Sequence, residues 1–373
     1  MQVFQFDQLS TLAALIDEGT FEAAAQRLRV TASAVSQRVK AMEQAAGRVL
    51  VQRTNPVRTT AAGDLVLRLA RQSQLLQHDT RSALAAGGAL GADLRDAAAG
   101  VGSTDVDDTR PFVSLAVAVN ADSLGTWFLD AIAPLGESLH AVFDLYRDDQ
   151  GHTTDLLRSG TVLAAVTSTR EPVQGCTSEP LGVMRYRAVC SPAFEARWRP
   201  RGAEAELTWL AGAPMLNFDR KDDLQPGYLR SHVPGTAHVP GAARDPGAAL
   251  EPGVAHVPGS VRVPGAAREP GVQSAPGRTP RPGTPHVDAA RTPPTHYVPT
   301  TADFARATVL GLGWSLLPEQ QCLAEIAAGT LVELDPDHPV DVSLYWQRWN
   351  LDSPTLTALT AAVRLAARAA LVE

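Results

Sequence analysis

Apolar residues recur through the first sixty positions at helical spacing. Phe6, Leu9, Ala13 and Ile16 repeat at intervals of 3, 4 and 3, which predicts a first helix ending at Gly19. FEAAAQRL, residues 21–28, predicts a second, after which Arg29 and Val30 turn the chain and Thr31 can cap a third helix through its hydroxyl. That third segment reads TASAVSQRVKAMEQAAG. Val35, Val39 and Met42 repeat at i, i+4 and i+7 on one side, while Ser33, Ser36, Gln37 and Lys40 recur on the other. One face suits a core. The opposite face is small, polar or basic.

The pattern then changes three times. VLVQRTNPVRTTAAG (residues 49–63) predicts two short extended pieces around Asn55-Pro56, a wing that carries Arg53 and Arg58. A long helical run follows over residues 64–86 and stops at Gly87 and Gly88; residues 87–111 are small, acidic and rich in helix breakers, as a hinge would be. From Phe112 short apolar runs alternate with helical ones. Residues 113–120, 140–146 and 162–168 predict strands, with helices beginning near Asp122 and Thr154. Such alternation favours right-handed βαβ crossovers, with ligand sites at the carboxyl ends of strands.

Pro-Gly pairs then begin at every sixth residue from Pro234 to Pro282. This tract has too few large apolar groups to offset its ordering entropy, so the expectation is a disordered, turn-rich insertion over about residues 233–294. Histidines 232, 238, 256, 286 and 296 lie in or beside it at irregular spacing, which suits solvated side chains better than a metal site. Folded patterning resumes in HYVPTTADFARATVLGLGWSLLPEQQ: a strand near Tyr297, a helix from about Ala302, and a strand in GLGWSLLP. Its GLG follows a helix and precedes a strand, the reverse of a dinucleotide fingerprint, and no cofactor is implied. A last amphipathic helix spans about residues 355–371.

The 373 residues, 45% of them hydrophobic and 20% charged, are enough for two or three soluble domains with real cores. The amino end has neither a basic signal-peptide region nor an unbroken apolar span, so a cytoplasmic protein without a membrane partner is expected. Cys176, Cys190 and Cys322 are far apart and contain no CxxC pair, which fits reduced structural thiols. Charge is the more informative property. The chain carries −7, yet residues 27–58 hold seven basic residues against the single acid Glu43, a local +6 that leaves −13 for the rest. That polarity is the footprint of a polyanion-binding segment, although a solvated basic surface would look the same by charge alone.

Two short helices joined by a tight turn, the second presenting a small polar and basic face, fit the major groove of double-stranded DNA. Base reading falls to Ser33, Ser36, Gln37 and Arg38, and phosphate contact to Thr31, Lys40, Arg53 and Arg58. For Arg38 the bland alternative is pairing near Glu43, at poor helical spacing.

FEAAAQRLRVTASAVSQRVKAMEQAAGRVLVQRT, followed by TTAAG and a long helix, resembles the LysR-type transcriptional regulators. NPVRTTAAG, LAVAVNADSLGTWFLDAIAPL, MLNFDRKDDL and HYVPTTADFARATVLGLGWSLLP further resemble their arginine/lysine-responsive, ArgP/LysG-like branch. The resemblance covers nearly the whole chain except the hinge and the Pro-Gly tract, without which the chain is near the usual size of such regulators. It departs from the pattern at Ala32, where many members carry Gln.

The resemblance implies an α+β multidomain chain. Residues 1–63 form a winged helix-turn-helix, 64–86 a dimerising linker helix and 87–111 a hinge. A two-lobed α/β effector domain like a periplasmic binding protein follows, with 112–182 and 301–373 as lobe 1 and 183–300 as lobe 2. It further implies a homodimer or homotetramer, contact with RNA polymerase, and a lysine or arginine effector controlling amino-acid export or metabolism genes. At the cleft, Asn120, Asp122, Ser123, Thr167, Ser168, Asp219, Thr300 and Thr301 are the candidates: hydroxyl and backbone donors for a carboxylate, aspartates for ammonium groups. Capping and turn roles are the alternative for Asp122, Ser123, Asp219 and Thr300. No GxSxG, HExxH or phosphate-loop pattern supports an enzyme. An effector-independent architectural or origin-binding protein is the remaining alternative.

Overall fold

A computed structural model describes residues 4–85, 112–147, 153–200, 207–232 and 293–372. The predicted hinge and the hexapeptide-period tract lie outside the described residues.

The amino-terminal head contains α1 (Phe6–Glu18), α2 (Phe21–Leu28) and α3 (Ala32–Ala46). Each ends where the sequence allows a left-handed residue: Gly19 and Gly47 close α1 and α3, and Arg29, at φ 54°, closes α2 without the freedom of a glycine. The Thr31 hydroxyl accepts from the Ala34 N–H at 3.1 Å and so caps α3. The wing is β1 (Val51–Gln52) paired antiparallel with β2 (Arg58–Thr59). Leu12, Leu15, Val35, Val39, Met42, Leu50 and Leu67 are at most 1% exposed and form one core. The linker helix α4 (Ala61–Ala85) begins three residues earlier than the pattern predicted. Its first turn is pressed so closely on the wing that a Cβ at Gly63 would lie 1.9 Å from the Leu50 carbonyl oxygen.

Beyond it come β3 (Val113–Val119), α5 (Ala121–Ser123), a π-helical turn (Leu124–Phe128), α6 (Leu129–Ile132), α7 (Leu135–Ser138), β4 (Ala141–Arg147), α8 (Thr153–Ser159) and β5 (Ala164–Thr167). Next are the long β6 (Cys176–Cys190), α9 (Pro192–Trp198), β7 (Met215–Asn217) and α10 (Leu224–His232). After the tract follow β8 (Thr295–Tyr297), α11 (Thr301–Val309), β9 (Ser315–Pro318), α12 (Glu319–Ala327), β10 (Val332–Glu333), β11 (Val340–Trp349) and α13 (Pro354–Ala370).

One mixed sheet joins seven of these strands in the order β10-β6-β11-β5-β3-β4, with β9 also on β6. β3 is parallel to β4 and β5, the βαβ arrangement expected from the alternation. β11 pairs antiparallel along its whole length with residues 176–186 of β6, whose remaining end carries β9 and β10. Gly182, at φ +135°, sits opposite Leu344, where the register shifts.

Within residues 301–334, β9 pairs with Tyr186–Val189 at the far end of β6, and Phe304, Ala307, Leu317, Cys322 and Leu331 share a core with Val189 and Leu216. Trp314, fully buried, forms a bridge with Met215. β11 and α13 pack on the first lobe, where the Trp346 indole donates to Thr360 at 3.1 Å. The 301–334 segment thus buries large side chains against β6 and β7.

Candidate nucleic-acid interface and effector cleft

On α3 the packing separates two faces. Val35, Val39 and Met42 are fully buried, while Ser33, Gln37 and Lys40 are exposed and Ser36 is half-buried. Thr31 stands exposed at the helix start with its hydroxyl engaged in the cap. In the wing, Arg53 and Arg58 are both exposed, and the Arg53 guanidinium lies 5.5 Å from the centre of the Phe21 ring. A basic rim therefore borders a small-residue face.

Arg38 does not pair with Glu43. Its guanidinium folds back on α1, donating to the Thr11 hydroxyl at 3.2 Å and meeting the Asp7 carboxylate at 3.4 Å. Glu43 is occupied elsewhere, accepting from the backbone N–H groups of Leu50 and Val51 at 2.9 and 3.4 Å. Arg38 thus braces α3 against α1, and Glu43 ties α3 to the wing.

In the cleft, Asn120, Asp122, Ser123 and Thr301 are brought together around α5. The Asn120 side chain accepts from the Ser123 N–H at 2.7 Å, the capping role weighed against ligand contact. Thr301 donates to the Ala121 carbonyl at 3.2 Å, and its methyl is where a Cβ on Gly125 would be met at 3.0 Å. Small size at Gly125 is what admits α11 here. Ser123 is fully buried and its hydroxyl has no hydrogen-bond partner. Thr167 is buried at the end of β5, accepting from the Thr169 N–H at 3.1 Å, and Ser168 follows it half-buried.

Asp219 and Thr300 serve local structure. The Asp219 carboxylate accepts from the N–H groups of Lys221 and Asp222 at 2.6 and 3.0 Å, a side-chain turn, and the exposed Thr300 donates to Asp303 at 2.5 Å. Two residues the pattern did not single out stand near Asp122. Tyr186, on β6, donates its hydroxyl to Asp122 at 2.7 Å. Asp222 accepts from the N–H groups of Phe218 and Leu224, both at 3.0 Å. Burial pushes the Asp122 carboxyl above its usual range; the Tyr186 hydrogen bond opposes this, and the negative charge of Asp222 adds to it. Burial likewise raises Asp222. Beside Asp222, Asn217 is 5% exposed and its side-chain oxygen has no partner. Two carboxyls with raised pKa values and two buried, unpartnered polar atoms make a site suited to a polar ligand bearing a cation. Among the described residues no cluster of His, Cys, Asp and Glu could hold a metal, and no helix is long and apolar enough to cross a membrane.

Comparison with known proteins identifies the family and the fold. The family model for bacterial regulatory helix-turn-helix proteins of the lysR family matches residues 6–64. The HTH-type transcriptional regulator LysG of Mycobacterium tuberculosis is 38% identical over 96% of this chain and 92% of its own. Among solved structures, ArgP from Mycobacterium tuberculosis is 36% identical with a TM-score of 0.68, the match covering 100% of this chain and 99% of that one. Full-length LysG from Corynebacterium glutamicum, with its bound effector Arg, is 34% identical with a TM-score of 0.62, covering 99% and 100%. The winged head, linker helix and two-lobed domain are thus those of a known group, and this chain belongs to the LysR family of helix-turn-helix transcriptional regulators, in its ArgP/LysG-like branch.

Proposed function

We propose that this protein binds double-stranded operator DNA through α3 and the wing and is switched by a basic amino acid, lysine or arginine, held between its lobes. The observation that carries the reading is the pair of raised carboxyls, Asp122 and Asp222, in one cleft: an ammonium or guanidinium group there would relieve the cost of ionising them. The arginine bound by the Corynebacterium glutamicum relative supports the same choice. Ser33, Ser36 and Gln37 read base edges, with Thr31, Lys40, Arg53 and Arg58 on phosphates. Arg38 acts from behind the helix. Leu65, Leu69 and Leu76 on α4 are 71, 44 and 40% exposed at spacings of four and seven. This apolar stripe supports pairing with a second α4, and two dimers would make the tetramer. The protein works in the cytoplasm on genes of basic amino-acid export or metabolism, through RNA polymerase, without catalysing a reaction.

Calorimetric titration of the full chain with lysine, arginine and glutamine tests the effector. Heat with a basic amino acid and none with glutamine is expected, and silence with both basic ones overturns the reading. A promoter footprint that ignores every amino acid would instead favour an architectural protein.

A further inference from the structure

Between α8 and β6 the chain makes one excursion, residues 160–175, which contains β5 and carries the candidate residues Thr167 and Ser168 at that strand's carboxyl end. Two arginines one turn apart on α4 hold this excursion at both ends. Where it enters, Arg71 donates to the carbonyl of Gly160 at 3.0 Å and to that of Thr161. Where it leaves, Arg68 donates to the carbonyls of Gln174 and Gly175 at 2.9 and 2.8 Å. The helix backbone itself touches the entry point: a Cβ at Gly160 would lie 2.7 Å from the Arg68 Cα.

Between these anchors the excursion is stiff. All four residues of β5 are buried, and the strand is flanked by β3 and β11. The following turn is braced by Gln347, fully buried, which donates to the Thr169 and Glu171 carbonyls at 2.9 and 2.8 Å and accepts from the Val173 N–H at 3.1 Å. A close-packed segment of this kind moves as a unit or not at all. Arg71 then continues the connection outward. Its second nitrogen meets the Asp17 carboxylate of α1 at 2.6 Å with the arginine side chain 13% exposed, and Asp17 also meets Arg27 of α2 at 3.1 Å. Beside this junction lies a cavity of about 330 Å³, lined by Asp17, Arg27, Arg71, Leu75, His78 and Trp349.

We infer that Arg68 and Arg71 are positioning residues that join this excursion to the linker helix and, through Asp17, to the DNA-binding head. A ligand seated against Thr167 and Ser168 loads a segment whose two ends are fastened to α4, and Arg71 passes that load to α1. The inference rests on the effector reading above for the ligand, and on geometry alone for the grip.

The test uses the full chain as wild type, Arg68→Ala/Arg71→Ala and the milder Asp17→Asn, each checked for folding by its thermal melt. Hydrogen exchange without ligand reads the grip: amides within 160–175 should exchange about 10-fold faster in the double arginine variant and unchanged in Asp17→Asn. Titration of operator DNA with and without arginine reads the coupling. Wild type should show at least about a fivefold effect of arginine on DNA affinity, and both variants should lose it while binding arginine within about threefold of wild type. Unchanged exchange in the folded double variant overturns the grip, and preserved coupling in folded Asp17→Asn overturns the route through Arg71. A wild type that binds neither lysine nor arginine sinks the effector reading instead, and the exchange result still decides the grip.

Discussion

Tyr186 donates its hydroxyl to Asp122 at 2.7 Å, joining a helix of the first lobe to the far half of β6. The bond holds the cleft together without ligand, yet it does not bring Asp122 back to an ordinary carboxylate range, because burial is the larger influence. A carboxyl raised in the folded state binds more protons there than in the unfolded chain. Its contribution to stability is therefore full below the unfolded value of 3.8 and is lost as pH rises through the native value.

A cationic effector favours the ionised carboxyl, so effector affinity should rise as pH rises through that same native value, with protons released on binding. Calorimetry of arginine binding in two buffers of different ionisation enthalpy measures the release directly. Asp122→Asn should abolish its share and weaken binding by about 10- to 100-fold, the usual range for a lost charge-assisted hydrogen bond. Binding with no proton release at any pH over which the ligand-free protein titrates this carboxyl would contradict the assignment.

The head predicts a division between position and sequence reading. Lys40→Ala should weaken binding to every duplex and reduce the salt slope by about 1, whereas Gln37→Ala should change which operator is preferred. Arg38→Gln belongs to neither class: with its partners on α1, its loss should lower the head's thermal stability and leave the salt slope nearly unchanged. Fluorescence titrations on two operators at several salt concentrations separate the three.

How far the sequence foretold this structure differs between the two ends. In the head, spacing located α1, α2 and the Thr31 cap to the residue, because each boundary is set by local chemistry: a hydroxyl before a helix, a left-handed residue after it. The strands of lobe 1 were legible to within about two residues, since β-branched runs between helices leave few alternatives. The cleft was half legible. Asn120, Asp122 and Ser123 follow a strand in the sequence and stand together in space. Tyr186 and Asp222 could not be found that way, because β6 delivers Tyr186 from sixty-four residues away, and in DRKDD nothing local tells Asp222 from Asp219, which also accepts turn N–H groups, or from Asp223, which pairs with Arg230. The α1 contacts of Arg38 were hidden for a similar reason: helical periodicity says which way a Cα–Cβ bond points, and a long side chain can still turn back to a neighbouring helix.

The thiols give a simple chemical check. Burial pushes both Cys190 and Cys322 up to about 12, and Cys176 is raised more mildly, also by burial. At neutral pH little thiolate forms at any of them. Iodoacetamide should therefore label the native chain slowly and all three positions quickly in urea, and fast native labelling of Cys190 or Cys322 would show that the second lobe is looser than its packing indicates.

The seating of α4 on the first lobe can be tested with two glycines that differ in one respect. Gly160 and Gly329 have nearly the same backbone, φ +75° and +72°, so alanine at either carries the left-handed cost of about 1 kcal/mol. At Gly329 a Cβ would meet nothing within 4 Å, and that cost should be the whole effect. At Gly160 the same Cβ would lie 2.7 Å from Arg68 Cα and 2.9 Å from its backbone nitrogen, atoms that cannot swing aside as a side-chain tip could. The helix must then lift or the 160–161 turn must move, adding about 1–3 kcal/mol of overpacking and straining the Arg71 hydrogen bonds at that carbonyl. Gly160→Ala should therefore lower the urea midpoint of the full chain two- to fourfold more than Gly329→Ala, by an estimate of about 2–4 against about 1 kcal/mol. Equal midpoints would mean that the linker helix stands off the lobe in solution, and the arginine grip on the 160–175 excursion would lose its footing.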